Sequence, residues 1–172
     1  MARVVLTTPT PDDEDAFLAA NRASRSFHRP WAYHPLTPEA YRTYLATLGE
    51  RKAGYLARRR EDDAIVGWIN LGEIVRGNFA NAYLGYSGFA AHAGRGYMTE
   101  AVALVLREAF MALRLHRVEA NIQPGNAASI ALVQRLGFEL EGMSPRYLKI
   151  GGRWRDHERY ALRVETWRAR RG

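Results

Sequence analysis

A glycine-rich stretch in the middle of the chain has the composition of a phosphate-binding loop. It contains Gly94 and Gly96, follows a predicted strand end at residues 84–89, and precedes an amphipathic helix that begins near Met98. The first N–H groups of a helix lack partners within the helix, and the helix dipole favours an anion there. Arg95 would add a cation. A plain tight turn is the alternative, because the dinucleotide and P-loop spacings are both missing.

A carboxylate on a predicted central strand is the best candidate for acid–base chemistry. Strand alternation over residues 117–122 places Glu119 and Asn121 on one face and the apolar side chains on the other. We therefore predict Glu119 as a general base, acting directly or through water, with a salt bridge to an arginine as the alternative role. Glu73, on a neighbouring predicted strand, is the second candidate. Glu100 is expected instead to stabilise the N-terminus of the long helix.

Several chemistries are excluded by the residue types that are absent. The chain has no cysteine, which excludes disulfides, thiolate metal sites and an acyl-cysteine intermediate. Its five histidines lack metal-ligand spacing, so we expect no metal. The apolar run at residues 101–106 is far too short for a membrane span, and no signal-peptide pattern opens the chain. We expect a cytoplasmic protein with no membrane contact.

Length and composition predict one domain over residues 1–172, with a short basic tail from about residue 166. The chain has 172 residues, 47% of them hydrophobic, which is enough for a substantial core. The formal net charge is +7, and only Lys52 and Lys149 of the 25 cations are lysine. The many arginines indicate either contact with nucleic acid or phosphate, or a plain compositional preference. In both cases the positive field favours anionic ligands.

Residue patterns predict an α+β domain with a mixed sheet. Helices are expected from about residue 11 to Ser24, from Thr37 to about Gly49, from Met98 onward as the longest, and from Asn126 to Gly137, with an irregular early loop at residues 26–36. Strands are expected at about residues 3–8, 53–60, 64–75, 79–89, 116–123, 138–149 and 154–164. Short turns join the second, third and fourth strands as an antiparallel meander. The strand, long helix and strand that follow require a parallel crossover.

Two motifs taken together resemble the GCN5-related N-acetyltransferase (GNAT) superfamily, in particular its ribosomal-protein N-terminal acetyltransferase branch. The first motif is Gly-Arg-Gly-Tyr-Met-Thr-Glu-Ala at residues 94–101. The second is Asn-Ala-Ala-Ser at residues 126–129, followed by Leu-Gly-Phe at 136–138 and Glu-Gly at 141–142. The similarity extends from the first strand to about residue 165. It implies the GNAT fold, a mixed but mostly antiparallel sheet of about seven strands that splays at the cofactor cleft and is flanked by about four helices.

The resemblance also implies where acetyl-CoA binds. Its pantetheine arm would pair with strand backbone at Ser87, Gly88 and Phe89 and face Asn126 and Ser129, with Gly88 interpreted as a bulge that opens the strands. Its pyrophosphate would lie on backbone N–H groups of the glycine loop, which comprises Gly94, Arg95, Gly96, Tyr97, Met98 and Thr99. Helix capping is the alternative role of Asn126, and Ser129 is alternatively an ordinary first-turn residue.

Three positions depart from the superfamily pattern. Ala93 replaces the usual Gln or Arg at the start of the loop, and Met98 replaces a small residue; backbone contacts should survive both changes. Val133 stands where many relatives place a tyrosine that protonates the departing thiolate. The acid is therefore Ser129, a water molecule, or nothing essential.

Acetyl transfer without a cysteine is expected to proceed by direct attack of an amine on the thioester. An α-amino group, with a pKa of about 8, is partly neutral at pH 7, whereas a lysine with a pKa of about 10.4 is almost fully protonated. His28, Trp31 and His34 of the early loop are expected to line the pocket of the amine together with Glu73, or else to pack over the core.

The early loop has no acidic residue, which argues against polycationic substrates such as polyamines. We therefore expect the amine to be a protein N-terminus, such as that of a ribosomal protein, and the enzyme to associate with the ribosome. A small-molecule amine acetyltransferase is the nearest rival function. A non-catalytic RNA- or ribosome-binding module, whose affinity would fall steeply with salt, is the rival from another class. Monomer and homodimer both remain open.

Overall fold

A seven-stranded mixed sheet forms the centre of the protein, and the computed structural model describes residues 2–170. Its strands are β1 (Val4–Thr7), β2 (Ala53–Arg59), β3 (Ile65–Val75), β4 (Asn81–Gly88), β5 (Arg117–Ile122), β6 (Glu139–Ile150) and β7 (Arg153–Arg163). The strand order is β1-β2-β3-β4-β5-β7-β6, and only the β4–β5 pair is parallel. This confirms the predicted fold class, the meander and the crossover.

Six α-helices flank the sheet within residues 2–170, where about four were predicted. They are α1 (Glu14–Ala23), α2 (Arg25–His28), α3 (Pro38–Ala46), α4 (Tyr97–Arg107), α5 (Ala127–Arg135) and α6 (Val164–Ala169), and α4 continues as a π-helical turn over Glu108–Ala112. The two additional helices are short. The first, α2, occupies the start of the early loop that was predicted to be irregular, and α6 lies across the start of the predicted basic tail.

Local capping explains where the helices begin and end. The Thr37 hydroxyl accepts a hydrogen bond from the N–H of Ala40 at 3.3 Å, with Pro38 at the first position of α3. The side chain of Asn126 caps α5 in the same way, by accepting from the N–H of Ser129 at 3.3 Å. Gly137 follows α5 with φ +95°, a left-handed conformation that ends a helix at little cost for glycine.

The centre of the sheet is covered on both faces, whereas much of the β6–β7 hairpin is exposed to solvent. The cross-strand pair Leu56 and Trp68 faces a layer made by α1 and α3, where the rings of Phe17 and Tyr41 pack at a tilt with their centroids 4.8 Å apart. The opposite face packs against the apolar stripe of α4, including the fully buried Val105. The central strands therefore remain open at their ends.

Strands β4 and β5 pair over only three registers. Asn81 to Tyr83 lie opposite Arg117 to Glu119, and beyond these residues the two strands separate. Each strand then stays with its other neighbour, β4 with β3 as far as Gly88 and β5 with β7 as far as Ile122. A wedge-shaped cleft therefore opens at the carboxyl ends of two parallel strands, where ligands of α/β sheets commonly bind.

Gly88 is not the bulge that the sequence analysis inferred, since it pairs in regular register with Gly67. The register shifts lie elsewhere in the meander, between Ala57 and Arg58 and between Gly72 and Val75. The glycine pair instead makes room for the side chain of Met98 from α4. A Cβ on Gly88 would lie 2.8 Å from the Cγ of Met98, and one on Gly67 would collide with its Sδ. The large residue at 98 is thus accommodated by two missing side chains.

This packing predicts that Gly67→Ala destabilises the protein, whereas Gly72→Ala on the same strand does not. A Cβ at Gly67 would lie 2.7 Å from the backbone oxygen of Ser87, which cannot move without β4, whereas a Cβ at Gly72 meets no atom within 4 Å. We expect urea unfolding to show a loss of about 1–3 kcal/mol for Gly67→Ala, the usual cost of overpacking. Gly72→Ala should stay within about 0.5 kcal/mol of wild type. Equal stabilities of the two variants would contradict the close contact.

Candidate active site

The wedge between β4 and β5 is the mouth of a cleft of about 760 Å³, a size typical of small-molecule sites. The early loop covers it from one side and the β6–β7 hairpin from the other. The residues predicted from the sequence that line it are His28, Trp31, His34, Ser87, Gly88, Phe89, Gly94, Gly96, Tyr97, Met98, Thr99, Asn126 and Ser129. Three predicted residues, Glu73, Arg95 and Glu119, do not line it. The structure thus brings together nearly all of the predicted site but not its carboxylates.

The glycine loop forms one end of the cleft. Gly94 and Gly96 have φ values of +72° and +80°, which glycine adopts without strain. Gly96 is the N-cap of α4, and the N–H of Glu100 is the first to bond within the helix, to the Gly96 carbonyl at 3.2 Å. The N–H groups of Tyr97, Met98 and Thr99 therefore precede the helical ladder. An anion at this end of the cleft would meet them directly.

Arg3 holds the glycine loop from the edge of the sheet. Its backbone N–H and its Nε donate to the carboxylate of Glu100 at 2.9 and 2.6 Å, and its Nη2 donates to the Arg95 carbonyl at 2.9 Å. Glu100 lies in the first turn of α4, where its negative charge interacts favourably with the helix dipole, as expected from the sequence. The Arg95 side chain is not part of the cleft lining, so its predicted cofactor contact reduces to the backbone.

A hydroxyl pair lies where the two strands part. The hydroxyl groups of Tyr86 and Ser129 are 2.6 Å apart, and Tyr86 also contacts the Ser129 carbonyl at 3.1 Å. Burial raises the pKa of Tyr86 to about 12, so this phenol keeps its proton at neutral pH. Sequence reasoning missed Tyr86, although its place beside Ser87 on the predicted strand end was a signal. Val133 is fully buried in the core and contributes no hydroxyl.

The early loop is tied to the free end of β4 by two histidines. Nε2 of His28 donates to the Gly88 carbonyl at 2.8 Å, and Nε2 of His34 lies 2.6 Å from the Ser87 hydroxyl. Burial lowers the pKa of His28, partly offset by the bond to Gly88. Burial, with His28 nearby, lowers the pKa of His34 to about 3. Both rings are therefore neutral at pH 7 and serve as anchors of the loop.

The same loop reaches across the cleft to its far wall. The Trp31 carbonyl accepts a hydrogen bond from the Gln123 side chain at 3.1 Å. The indole ring of Trp31 covers Gly125, where an added Cβ would lie 2.9 Å from the ring. The ring of Tyr33 covers Gly151 at the β6–β7 turn. Because contacts on β4, after β5 and on the hairpin all come from one loop, it bridges the opening between the splayed strands.

The two predicted carboxylate bases lie outside the cleft. Glu119 is opposite Tyr83 in the last paired register, on the closed side of the splay, and accepts from Nε of Arg117 at 2.8 Å. This is the salt bridge that the sequence left open as an alternative. Glu73 has φ +48° at an irregular end of β3 and is exposed to solvent beside Arg51. No Asp or Glu of residues 2–170 lines the cleft.

Metal-binding side-chain clusters and membrane-spanning helices are both missing from residues 2–170. In the described part of the chain, no group of three or more His, Cys, Asp or Glu side chains is placed to hold a metal ion. None of the helices between residues 2 and 170 is both long enough and apolar enough to cross a membrane.

Comparison with known proteins decides the family. The sequence model of the acetyltransferase (GNAT) domain matches residues 3–139. The chain belongs to the GNAT acetyltransferase family. Enzymes with this fold use acetyl-CoA, and the GNAT assignment makes this chain an N-acetyltransferase.

Several relatives of this GNAT chain carry more specific names. The [ribosomal protein uS5]-alanine N-acetyltransferase of Escherichia coli is 36% identical over 168 residues, which cover 90% of this chain and 86% of that protein. The probable N-acetyltransferase YjcK of Bacillus subtilis is 43% identical over 101 residues, 59% of this chain and 56% of that protein. Among solved structures, Mycobacterium smegmatis RimJ in complex with CoA-disulfide superposes with a TM-score of 0.87 at 28% identity, covering 94% of this chain and 82% of that one.

The buried histidine anchor predicts how the stability of this GNAT domain depends on pH. The pKa of His34 falls to about 3 on folding, so its stabilisation is complete above about pH 6.5, the unfolded value, and is lost as the pH falls toward 3. We expect the stability difference between wild type and His34→Asn to shrink by up to about 1.4 kcal/mol per pH unit below pH 6. Urea unfolding at pH 7, 6 and 5 measures it.

The control for this experiment is Met111→Gln, which changes an exposed side chain that carries no titratable group. Its stability should follow the wild-type curve between pH 7 and 5. If His34→Asn also ran parallel to wild type over this range, His34 would not be held neutral in the folded protein.

Proposed function

We propose that this enzyme transfers the acetyl group of acetyl-CoA to the N-terminal α-amine of a protein, such as a ribosomal protein. The observation that carries the proposal is a cleft with a helix end suited to an anion at one side and, at the other, a mouth that no carboxylate of residues 2–170 lines. The similarity to the E. coli [ribosomal protein uS5]-alanine N-acetyltransferase, which spans most of both chains, supports the choice of amine.

The cofactor end of the cleft supports binding of acetyl-CoA along β4 and the glycine loop. The N–H of Phe89 donates to Val66 on β3, so strand alternation turns the backbone groups of Gly88 toward the open edge. The Gly88 carbonyl already accepts from His28, so the N–H of Gly88 is the group that can donate to a carbonyl of the pantetheine arm. Phe89 uses its carbonyl as well, for the N–H of His92, so its predicted backbone contact falls to Gly88. The pyrophosphate would lie on the N–H groups from Gly94 to Thr99.

The hydroxyl pair suits the departure of the thiolate. Ser129 lines the cleft where the strands part, and Tyr86 lies within hydrogen-bond distance of its hydroxyl. When Tyr86 donates to the serine oxygen, the serine proton is free to point at the CoA sulfur. The pair thereby supplies the acid that Val133 does not, with Ser129 as the donor and Tyr86 as the group that orients it.

The acid-free mouth favours a weakly charged amine over a polycation. A polyamine at neutral pH carries several ammonium groups, and burying them without carboxylate partners is costly. A single α-amine with a pKa of about 8 needs to lose only one proton that it already holds weakly. The apolar and aromatic side chains of the mouth, including Trp31 and Ile150, suit the first side chain of a peptide.

The direct test uses labelled acetyl-CoA and mass spectrometry. The enzyme is incubated with a cell extract and, separately, with a peptide bearing a free N-terminus, the same peptide blocked at the N-terminus but carrying an internal lysine, and spermidine. We expect label on α-amines in the extract and on the first peptide only. Label confined to lysine, spermidine or another small amine would contradict the proposal.

The placement of the pyrophosphate predicts that Gly96→Val abolishes most of the stabilisation by acetyl-CoA. At a hundredfold excess over its dissociation constant, a ligand that binds only the folded state adds about 2.7 kcal/mol of stability. A branched side chain at Gly96 strains a φ of +80°, and its Cβ would lie 3.2 Å from Nη2 of Arg3, the group that holds the Arg95 carbonyl. Both effects displace the loop whose N–H groups would bind the phosphates. Thermal melts with and without acetyl-CoA measure the loss.

Gly77→Val is the matched control, because Gly77 also has a positive φ, +71°, but lies in the β3–β4 turn with open space around it. This variant should lose basal stability from strain and yet keep the full shift with acetyl-CoA. A folded Gly96→Val protein that binds acetyl-CoA like wild type would show that the pyrophosphate lies elsewhere.

A further inference from the structure

We propose that His157 is the general base that deprotonates the substrate amine, and that Asn121 holds the amine beside it. The inference rests on the proposed function, because it assumes an amine substrate. Neither residue was assigned a role from the sequence. Both line the cleft, on the side away from the glycine loop.

The sheet register places the two side chains on one face. Asn121 of β5 lies opposite Arg159 of β7, and alternate residues of a strand share a face, so His157 faces the same side as Asn121. The last β5–β7 pair is Ile122 with Glu158, so His157 stands one residue beyond the end of β5. Its side chain therefore lines the cleft that opens where β5 ends.

The tautomer of His157 leaves a basic nitrogen free. Its Nδ1 lies 2.9 Å from the backbone carbonyl of Arg155, and because a carbonyl only accepts, Nδ1 carries the proton of the neutral ring. Nε2 then has the lone pair, and it makes no hydrogen bond to any of residues 2–170. His28 and His34 differ in this respect, since their Nε2 atoms are engaged by β4. His157 is 3% exposed, so its ring orientation is held by packing.

Asn121 supplies the second, independent observation. Its Oδ1 is buried and has no hydrogen-bond partner among the described residues. A buried acceptor without a donor is costly, and native structures seldom leave one without a reason. Rotation of the amide about its terminal C–C bond, which exchanges the positions of Oδ1 and Nδ2, would turn this acceptor into the cleft, where an amine N–H would satisfy it. The amine would then donate one hydrogen to Asn121 and another to His157.

A protonated substrate amine carries three protons, and each has a destination in the reaction. Nε2 of His157 takes one of the three ammonium protons and releases it to solvent. The nitrogen lone pair attacks the thioester carbonyl, so an N–C bond forms and the C–S bond breaks. Ser129 protonates the departing sulfur and is reprotonated by the second amine proton through Tyr86 or water. The third proton stays on the amide, and no oxidant or further reactant is needed.

The test compares His157→Gln with wild type on two peptides that wild type acetylates, one with an α-amine pKa of about 8 and an analogue with a terminal amine pKa near 6. General-base catalysis contributes about 10²–10⁴-fold. We expect kcat/KM to fall at least about 100-fold on the basic amine. The deficit should be clearly smaller on the analogue, which is largely neutral without help, while the Kd for acetyl-CoA stays within about twofold.

Controls separate a chemical role from a structural one. His116→Gln, an exposed histidine outside the cleft, should match wild type on both peptides. Asn121→Ala should raise the KM for peptide about tenfold with a smaller change in kcat, as loss of a binding contact does. If His157→Gln fails to fold by thermal melt, His157→Asn is measured in the same way.

Three outcomes would overturn the inference: wild-type kcat/KM in the His157 variant, an equal deficit on both amines, or a parallel loss of acetyl-CoA binding. The first leaves the base to water, and the other two make His157 a positioning or structural residue. Failure of the proposed function would look different, because the wild-type enzyme itself would label no α-amine.

Discussion

The separation of two parallel strands is the constraint on which the rest of this protein depends. β4 and β5 pair over only three registers and then each follows its other neighbour. The separation leaves backbone hydrogen-bonding groups at the edge of a buried sheet, which is costly unless a ligand or side chain satisfies them. His28 satisfies one of them at Gly88, and a ligand amide is suited to another. The cleft is thus a place where a bound ligand can complete the hydrogen bonding of the strand edges.

Three separate contacts keep the opening in shape. Because Gly67 and Gly88 have no side chains, Met98 packs directly against the sheet, so α4 begins close to β4. Arg3 fixes the glycine loop to the sheet edge through Glu100 and the Arg95 carbonyl. The early loop spans the gap. Each contact joins residues far apart in sequence, so the geometry of the site belongs to the whole fold rather than to one motif.

Much of the fold and of the cofactor end could be predicted from the sequence, because local rules govern them. Strand and helix order follows from periodicity and capping, and the glycine loop is recognisable by composition. The proposed general base could not be predicted in this way. Alternation correctly put Glu119 and Asn121 on one face, but only the register shows that the strands are still paired at Glu119 and apart at Asn121. His157 reaches the cleft through the register of β7 against β5, a pairing of strands distant in sequence that no local pattern specifies, so sequence reasoning had no means of placing it there.

A crystal structure of the enzyme with CoA and a peptide bearing a free N-terminus would show where both ligands bind. We expect pyrophosphate oxygens within hydrogen-bond distance of N–H groups in residues 94–99, and the CoA sulfur beside Ser129 between the separated strands. We also expect the peptide nitrogen between Asn121 and His157, which completes the proposed placement of the two ligands. A pyrophosphate bound away from the glycine loop, or a peptide terminus outside the wedge between β4 and β5, would contradict it.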